Sequence, residues 1–224
     1  MTVTQHTPPA RLIDADLLKR WRKVPVAVAV DLGRDIGQID PAIRPLLPPG
    51  RQPRLFGLAV TARCEPPDFG SVPRAVDVTG PGDVLVIAAG GHAETAMIGE
   101  ILGGQLRRRG AVGFVCDGAV RDVGQLAEWP DLSVYTRHVT PRGPASIERG
   151  AINGPVVFGG QVIRPGDLLI GDDDGLVVLT PETARSRIAD AEDRLRKEAG
   201  WEQSLASGMS LVAALGLPPA VPVN

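Results

Sequence analysis

PGDVLVIAAGGHAETAMIGEILGGQLRRRGAVGFVCD, residues 81–117, decides the fold class. A Pro-Gly-Asp turn opens it, and Val84–Ala88 is a short unbroken apolar run of the kind carried by strands buried on both faces. Gly90-Gly91 breaks that run. Over residues 93–110 the spacing turns helical, with Ala93, Met97 and Ile101 on one line and Ile98, Leu102 and Leu106 on the next. Arg107–Arg109 in the last turn and Gly110 after it are stop signals. Residues 111–117 then read as a second buried strand. Strand, helix and strand within roughly 35 residues form a βαβ unit, whose crossover is right-handed and whose class is α/β.

Three glycines disturb that helix. Gly99, Gly103 and Gly104 each cost about 1 kcal/mol against alanine in a helix interior. Either Gly99 and Gly103 permit close packing, or the helix proper starts near Gly99-Glu100. In the second reading the amides of Gly99, Glu100, Ile101 and Leu102 point outward as a cradle for a carboxylate.

Outward from this unit, residues 1–10 read as a loose polar arm and 12–21 as a short helix with Leu12, Leu17, Leu18 and Trp21 apolar. VPVAVAVDL (24–32) suits a strand or the approach to a helix at Asp31, and both readings stay open. Five prolines in residues 41–53 forbid regular structure, making a surface crossing. FGLAVTAR (56–63) and SVYTR (133–137) read as strands, and 155–181 as strand-rich, with turns at Gly159-Gly160, Pro165-Gly166-Asp167 and Asp174-Gly175. Helices are expected over 181–199 and 201–215. The organisation is thus an N-terminal arm and helix (1–23), an α/β core (24–180), and C-terminal helices with a tail (181–224).

Composition excludes several classes. The formal charge of −2 offers no basic field for phosphate backbones, and 4% aromatic residues build no stacking platform, so nucleic acid is not an expected ligand. Residues 1–18 hold no apolar signal core and no charge-free apolar run of about 18 residues occurs, so a cytoplasmic protein with no membrane segment is expected. Cys64 and Cys116 stand far apart and read as reduced, buried thiols. His6, His92 and His138 match no metal spacing, although His92 follows the carboxyl end of a strand. Asp172-Asp173-Asp174-Gly175 lacks the EF-hand spacing and reads as a hairpin turn. Asp190/Arg194, Glu192/Arg196 and Asp193/Lys197 stand at i,i+4 and read as a solvated helix face.

Arg121-Asp122 carries two readings. Asp122 suits the N-cap of a helix over 122–129, with Gln125 completing a capping box. The pair also leaves the carboxyl end of the second strand of the βαβ unit, while the amide cradle leaves the first. Both open onto one crevice, where α/β proteins bind ligands. A guanidinium fork, backbone amides and one carboxylate able to hold a hard divalent ion suit a small 2-oxo acid.

At these residues the chain resembles a known superfamily. GEIL (99–102), GAVGFVCDGAVRD (110–122) and GGQVIRPGDLLIGDDDGLVVL (159–179) are similar to the class II 4-hydroxy-4-methyl-2-oxoglutarate (4-carboxy-4-hydroxy-2-oxoadipate) aldolases and to the non-enzymatic regulators of ribonuclease activity A. The resemblance covers roughly residues 24–215. It implies an RraA-like α/β/β/α sandwich around a small central β-barrel, assembled as a homotrimer or homohexamer with sites at subunit boundaries.

By the same resemblance, Asp122 is the ligand of a divalent metal, Mg²⁺ or Mn²⁺, with waters completing the shell. Arg121 contacts the substrate's keto region, and Gly99–Leu102 hold the pyruvyl carboxylate. Glu100 stands where many of these aldolases have aspartate, beside a water of the metal shell, so the catalytic set is Arg121, Glu100 and Asp122. Glu198 or Glu202 matches a glutamate that reaches a neighbouring subunit. The implied activity is retro-aldol cleavage of a 4-hydroxy-2-oxo acid to pyruvate, with oxaloacetate decarboxylation on the side. The other branch implies a non-catalytic regulator of a ribonuclease or helicase. Lys19, Lys23 and Lys197 all fall on peripheral helices, so no Schiff-base lysine is placed.

Overall fold

A computed structural model describes residues 2–34 and 36–221. Its strands are β1 (Thr4–Gln5), β2 (Gly37–Gln38), β3 (Arg44–Pro45), β4 (Leu55–Arg63), β5 (Asp83–Ile98), β6 (Gly113–Val120), β7 (Ser133–Val139), β8 (Ala151–Ile152), β9 (Val156–Phe158), β10 (Gln161–Ile163), β11 (Leu168–Asp172) and β12 (Gly175–Leu179). Its helices are α1 (Ala15–Trp21), α2 (Val26–Val30), α3 (Ser71–Val78), α4 (Glu100–Arg108), α5 (Val123–Leu126), α6 (Pro181–Ala206) and α7 (Leu211–Ala214).

The βαβ unit is present with one change. Gly90-Gly91 does not end β5: the strand runs on for 16 residues, absorbing the glycines at φ 60° and 79°. The partner β6 keeps it extended, pairing His92 with Gly118, Ala96 with Ala119 and Ile98 with Val120 across successive register shifts. Residues 93–98, expected as helix, are therefore strand. Ala96, Met97 and Ile98 are buried in the sheet, while Ile101, on the supposed same helical line as Met97, is 77% exposed. The helix proper starts at Glu100, the alternative that the glycine cost favours.

β4, β5, β6 and β7 are parallel and form the centre of a mixed sheet in the order β2-β12-β11-β4-β5-β6-β7-β3, flanked by antiparallel β11 and β12. Side chains alternate between two environments. Leu85, Ile87, Phe114 and Cys116 pack outward with α3, α4 and α5, whereas Val84, Val86, Ala88 and Val115 share an inner core with Leu169, Leu176 and Tyr135. The Tyr135 hydroxyl of β7 donates to the Asp172 carbonyl of β11 at 2.9 Å, so the sheet curls around that core. The β9–β10 hairpin adds Phe158 and Ile163 to it. A second outer layer of α1, α2 and α6 covers Phe56, Leu58, Ile170 and Val177.

Local expectations are adjusted by tertiary partners. The 24–32 stretch is helix at Val26–Val30, because the Asp172 carboxylate accepts the Val26 N–H at 2.9 Å and Val26, Val28 and Ala29 pack into the α6 layer. The polar arm is docked: Thr4–Gln5 pairs in parallel with Ala151–Ile152. The proline-rich crossing contributes only the two-residue β3. The two C-terminal helices are one long α6, which runs on through Gly200 and in which Trp201 stacks with Arg194 and Lys197, and a short α7. The break falls instead at Gly208, φ 90°. The helix ions also choose other partners: Glu192 takes a bidentate contact from Arg20 of α1 at 2.8 and 2.7 Å, and Arg194 bonds Glu198 at 2.7 Å. Both cysteines are buried free thiols, and burial pushes that of Cys64 up to about 12.

Candidate active site

Parallel pairing of β5 and β6 sets Ile98 opposite Val120, so the residues that follow each strand emerge side by side. The Arg121 N–H donates to the Ile98 carbonyl at 3.1 Å and draws the two exits together. A Cβ on Gly99 would collide with the Asp122 carboxylate and stand 2.8 Å from Arg121 Cγ. Glycine at 99 is thus required by proximity, its own backbone being ordinary extended chain.

Asp122 has φ 57° and ψ 34°, the left-handed region, which aspartate tolerates better than most side chains. It makes no side-chain cap to α5. The expected capping box with Gln125 is absent, because this backbone turns the carboxylate toward the neighbouring helix, where Asp122 Oδ2 accepts the Glu100 N–H at 3.1 Å. Asp122 thereby caps α4. Arg121 Nε lies 3.5 Å from the same Oδ2, and both side chains remain about two-fifths exposed.

The wall opposite is a loop held by Asp68. The Ala96 N–H donates to the Arg142 carbonyl at 2.8 Å and the Ala145 N–H to the Pro67 carbonyl at 3.0 Å. Asp68, with no exposed surface, accepts the N–H groups of Gly70, Glu148 and Arg149 at 2.8, 2.9 and 3.0 Å, together with the Ser146 hydroxyl. Burial alone pushes its carboxyl up, but the Ser146 hydroxyl and the three amides outweigh burial and hold it well below the usual carboxylate range. The loop so anchored brings Gly143 against Arg121, where a Cβ would stand 2.7 Å from Nη1.

Between these parts lies a cavity of about 210 Å³ lined by Gly99, Ile101, Leu102, Arg121 and Asp122, together with Phe69, Pro73, Met97 and Pro144. Five of the six site residues expected from sequence therefore meet at one cavity. Glu100 joins through its backbone, and its exposed side chain is not part of the lining. One amide of the expected cradle is already occupied by Asp122; those of Ile101 and Leu102 remain in the first turn of α4. Phe69, Pro73 and Pro144 escape sequence reasoning, since apolar loop residues carry no chemical signature.

Other candidates stand elsewhere. His92 Nε2 lies 2.9 Å from Thr95 Oγ1 within β5. Asp172 and Asp174 form the expected hairpin turn, the Asp174 N–H donating to Asp172 at 3.1 Å. Neither Glu198 nor Glu202 lines the cavity. Among the described residues no group of three or more His, Cys, Asp or Glu side chains stands ready to cage a metal. Magnesium does not need such a cage: it keeps several waters and takes one or two carboxylates, a role that the partly exposed Asp122 carboxylate fits.

A sequence profile of the RraA-like family (Aldolase/RraA) matches residues 10–178. A Halalkalibacterium halodurans protein, provisionally named a 4-hydroxy-4-methyl-2-oxoglutarate aldolase, is 27% identical over 90% of this chain and 94% of its own. Among solved structures, an uncharacterized protein of Pseudomonas syringae pv. tomato superposes with TM-score 0.80 at 25% identity, covering 94% of this chain and 95% of that one. Streptomyces coelicolor RraAS2, described as an unusual member of the RNase ES inhibitor RraA family, superposes with TM-score 0.73 at 27% identity over 88% of this chain and 99% of its own. No helix among the described residues is long and apolar enough to cross a membrane.

Proposed function

The chain belongs to the RraA-like family, and from that premise we propose that it is a divalent-metal-dependent aldolase cleaving a 4-hydroxy-2-oxo acid to pyruvate. The observation that carries this reading is the convergence of Arg121, Asp122 and the first turn of α4 on one small cavity.

Asp122 would hold the cation, Mg²⁺ or Mn²⁺, with waters in the remaining positions, and the cation when bound supplies Lewis-acid polarisation of the 2-keto oxygen. The amides of Ile101 and Leu102 receive the substrate carboxylate at the positive end of α4. Arg121 donates to the keto oxygen and stabilises the negative charge that gathers there as the C3–C4 bond breaks. The 4-hydroxyl loses its proton as it becomes a carbonyl, and the enolate takes a proton at C3 to give pyruvate. Glu100, exposed beside the cavity, carries that proton out and back through water. The same electron sink decarboxylates oxaloacetate, the C3–carboxylate bond breaking instead. Assembly as a homotrimer or homohexamer, with Glu198 or Glu202 reaching a neighbour's cavity, belongs to the same proposal; Ile101, 77% exposed beside the cavity, supports an interface there. Light scattering that returns a monomer removes this part.

The test is a lactate-dehydrogenase-coupled pyruvate assay with oxaloacetate and 4-hydroxy-4-methyl-2-oxoglutarate, with and without Mg²⁺. Pyruvate that depends on the metal is the expected result. The second reading, a regulator binding a ribonuclease or helicase, draws on the likeness to the Streptomyces RNase ES inhibitor relative. Absence of pyruvate from either substrate favours it.

A further inference from the structure

Arg121, Arg74 and Arg149, on or beside the wall of the cavity, are all committed. Arg121 faces Asp122 at 3.5 Å, and the reaction proposed above engages it with the keto oxygen. Arg74 Nη1 donates to the Gly70 and Ile147 carbonyls at 2.7 and 3.1 Å, and Arg149 lies 3.8 Å from Asp68. Arg142 differs. It is exposed, and its guanidinium has no hydrogen-bonding or ionic partner among the described residues.

Its backbone is fixed although its side chain is free. The Thr140 N–H donates to the Val120 carbonyl at 3.0 Å, the Ala96 N–H to the Arg142 carbonyl at 2.8 Å, and the Ala145 N–H to the Pro67 carbonyl at 3.0 Å. Pro141 and Pro144 stiffen the chain between those bonds. Val120 immediately precedes Arg121 and Ala96 lines the cavity, so the segment is pinned to the site itself. Gly143, whose Cβ would stand 2.7 Å from Arg121 Nη1, follows Arg142 directly, with Cα atoms about 3.8 Å apart. A long cationic side chain therefore starts one residue from the contact with Arg121, beside the cavity.

Resting on the aldolase reading, we infer that Arg142 is a specificity-determining residue of this site, binding the second carboxylate of a dicarboxylic 4-hydroxy-2-oxo acid. The apolar wall of Phe69, Pro73, Met97 and Pro144 offers that carboxylate no hydrogen bond, so it stays at the mouth, where water and a cation meet it. There a guanidinium gives two parallel N–H···O bonds in a geometry fitted to a carboxylate. Arg121 is thereby left to the keto oxygen. An acid of the same length that ends in a methyl group gains nothing from Arg142.

The test compares acids of equal length. The full-length protein and its Arg142→Ala, Arg142→Lys and Arg142→Glu variants, with Mg²⁺ present, are titrated calorimetrically with 2-oxoglutarate and 2-oxopentanoate. Both acids lack the 4-hydroxyl and so undergo no retro-aldol cleavage, and only the first carries a second carboxylate. Arg142→Ala should weaken 2-oxoglutarate about tenfold while 2-oxopentanoate stays within about twofold of wild type. Arg142→Glu should weaken 2-oxoglutarate further, and Arg142→Lys should fall between alanine and wild type, keeping the charge without the fork. In the coupled assay the KM for 4-hydroxy-4-methyl-2-oxoglutarate should rise about tenfold in Arg142→Ala, with the change in kcat the smaller of the two. An equal loss for both acids, the signature of a disturbed loop, or an unchanged ratio between them overturns the inference. Failure of both acids to bind the unaltered protein overturns it together with the aldolase reading. The expected binding pattern with no pyruvate from 4-hydroxy-4-methyl-2-oxoglutarate overturns the aldolase reading alone.

Discussion

Asp122 caps a helix that is not the one it precedes. Its carboxylate accepts the Glu100 N–H at the start of α4 at 3.1 Å, from a backbone held at φ 57° ahead of α5. Side chains held in left-handed backbone concentrate where surrounding structure fixes them for a task. Here that structure is the β5–β6 ladder and Gly99, and the task is to hold one carboxylate, partly exposed, at the mouth of the positive end of α4.

Substitutions at 122 separate capping from catalysis. Asparagine tolerates left-handed backbone and accepts an N–H as aspartate does, so Asp122→Asn should change stability by less than about 0.5 kcal/mol. It is a poor ligand for a hard cation and should abolish Mg²⁺-dependent pyruvate formation. Asp122→Ala should lose activity and also about 1 kcal/mol or more, through the lost cap and the strained backbone. Urea unfolding beside the coupled assay checks both. An Asp122→Asn protein of full activity would sink the metal-ligand role.

Gly99 offers a second handle. Gly99→Ala drives a methyl group into the Asp122 carboxylate and Arg121 Cγ, so both must move. The expected cost is about 1–3 kcal/mol in stability, with kcat/KM falling roughly a hundredfold because the two site groups are misplaced. Gly124→Ala is the control. Its Cβ meets nothing within 4 Å, and it lies inside α5, so activity should hold and stability should be unchanged or slightly raised. Equal activity in the two variants would refute the packing argument.

How far the sequence reached has a physical pattern. The buried strand Val84–Ala88, the strand read over 111–117 and observed at Gly113–Val120, the turn at Asp174-Gly175 and the start of α4 near Gly99 were legible, because each rests on local features: apolar runs, a D-G turn, and the cost of glycine inside a helix. Residues 93–98 were not. Their apolar spacing suits a helix as well as a bulged strand, and β6 decides between them by offering hydrogen bonds. Val26–Val30 is helical through an aspartate 146 residues away in sequence. At the site, residue types and meeting place were legible, yet the direction of the Asp122 side chain depends on one positive φ that no neighbour announces. The apolar wall was hidden because it comes from loops that only the fold brings together.

Asp68 should make the site sensitive to acid. Its folded carboxyl titrates below its unfolded value of about 3.9. The stability it contributes is therefore present above about pH 4 and is lost as pH falls below that, through the folded value. Asp68→Asn turns amide protons toward N–H donors from Gly70, Glu148 and Arg149, leaving buried groups unpaired, and should cost about 1–3 kcal/mol. The variant should lose the wild-type gain in stability between pH 3 and 5 and should raise KM, since the loop carrying Gly143 and Pro144 is loosened. Urea midpoints across that pH range that match the wild-type curve would contradict the assignment.

Arg121→Lys asks whether the site needs a shape or only a charge. The guanidinium packs against Gly143, with Nη1 2.7 Å from where a Cβ would stand, and its Nε lies 3.5 Å from Asp122. An ammonium keeps the positive field but offers neither the planar fork nor the reach to touch Gly143 and the substrate together. Because the side chain is about two-fifths exposed, stability should shift by less than about 0.5 kcal/mol. If Arg121 stabilises an enolate, kcat for pyruvate formation should fall by roughly a hundredfold or more while Mg²⁺ affinity, measured by calorimetry, stays close to wild type. If the residue serves only to balance the charge of Asp122, lysine should suffice, activity should persist within a few-fold, and the catalytic role of Arg121 would have to be abandoned.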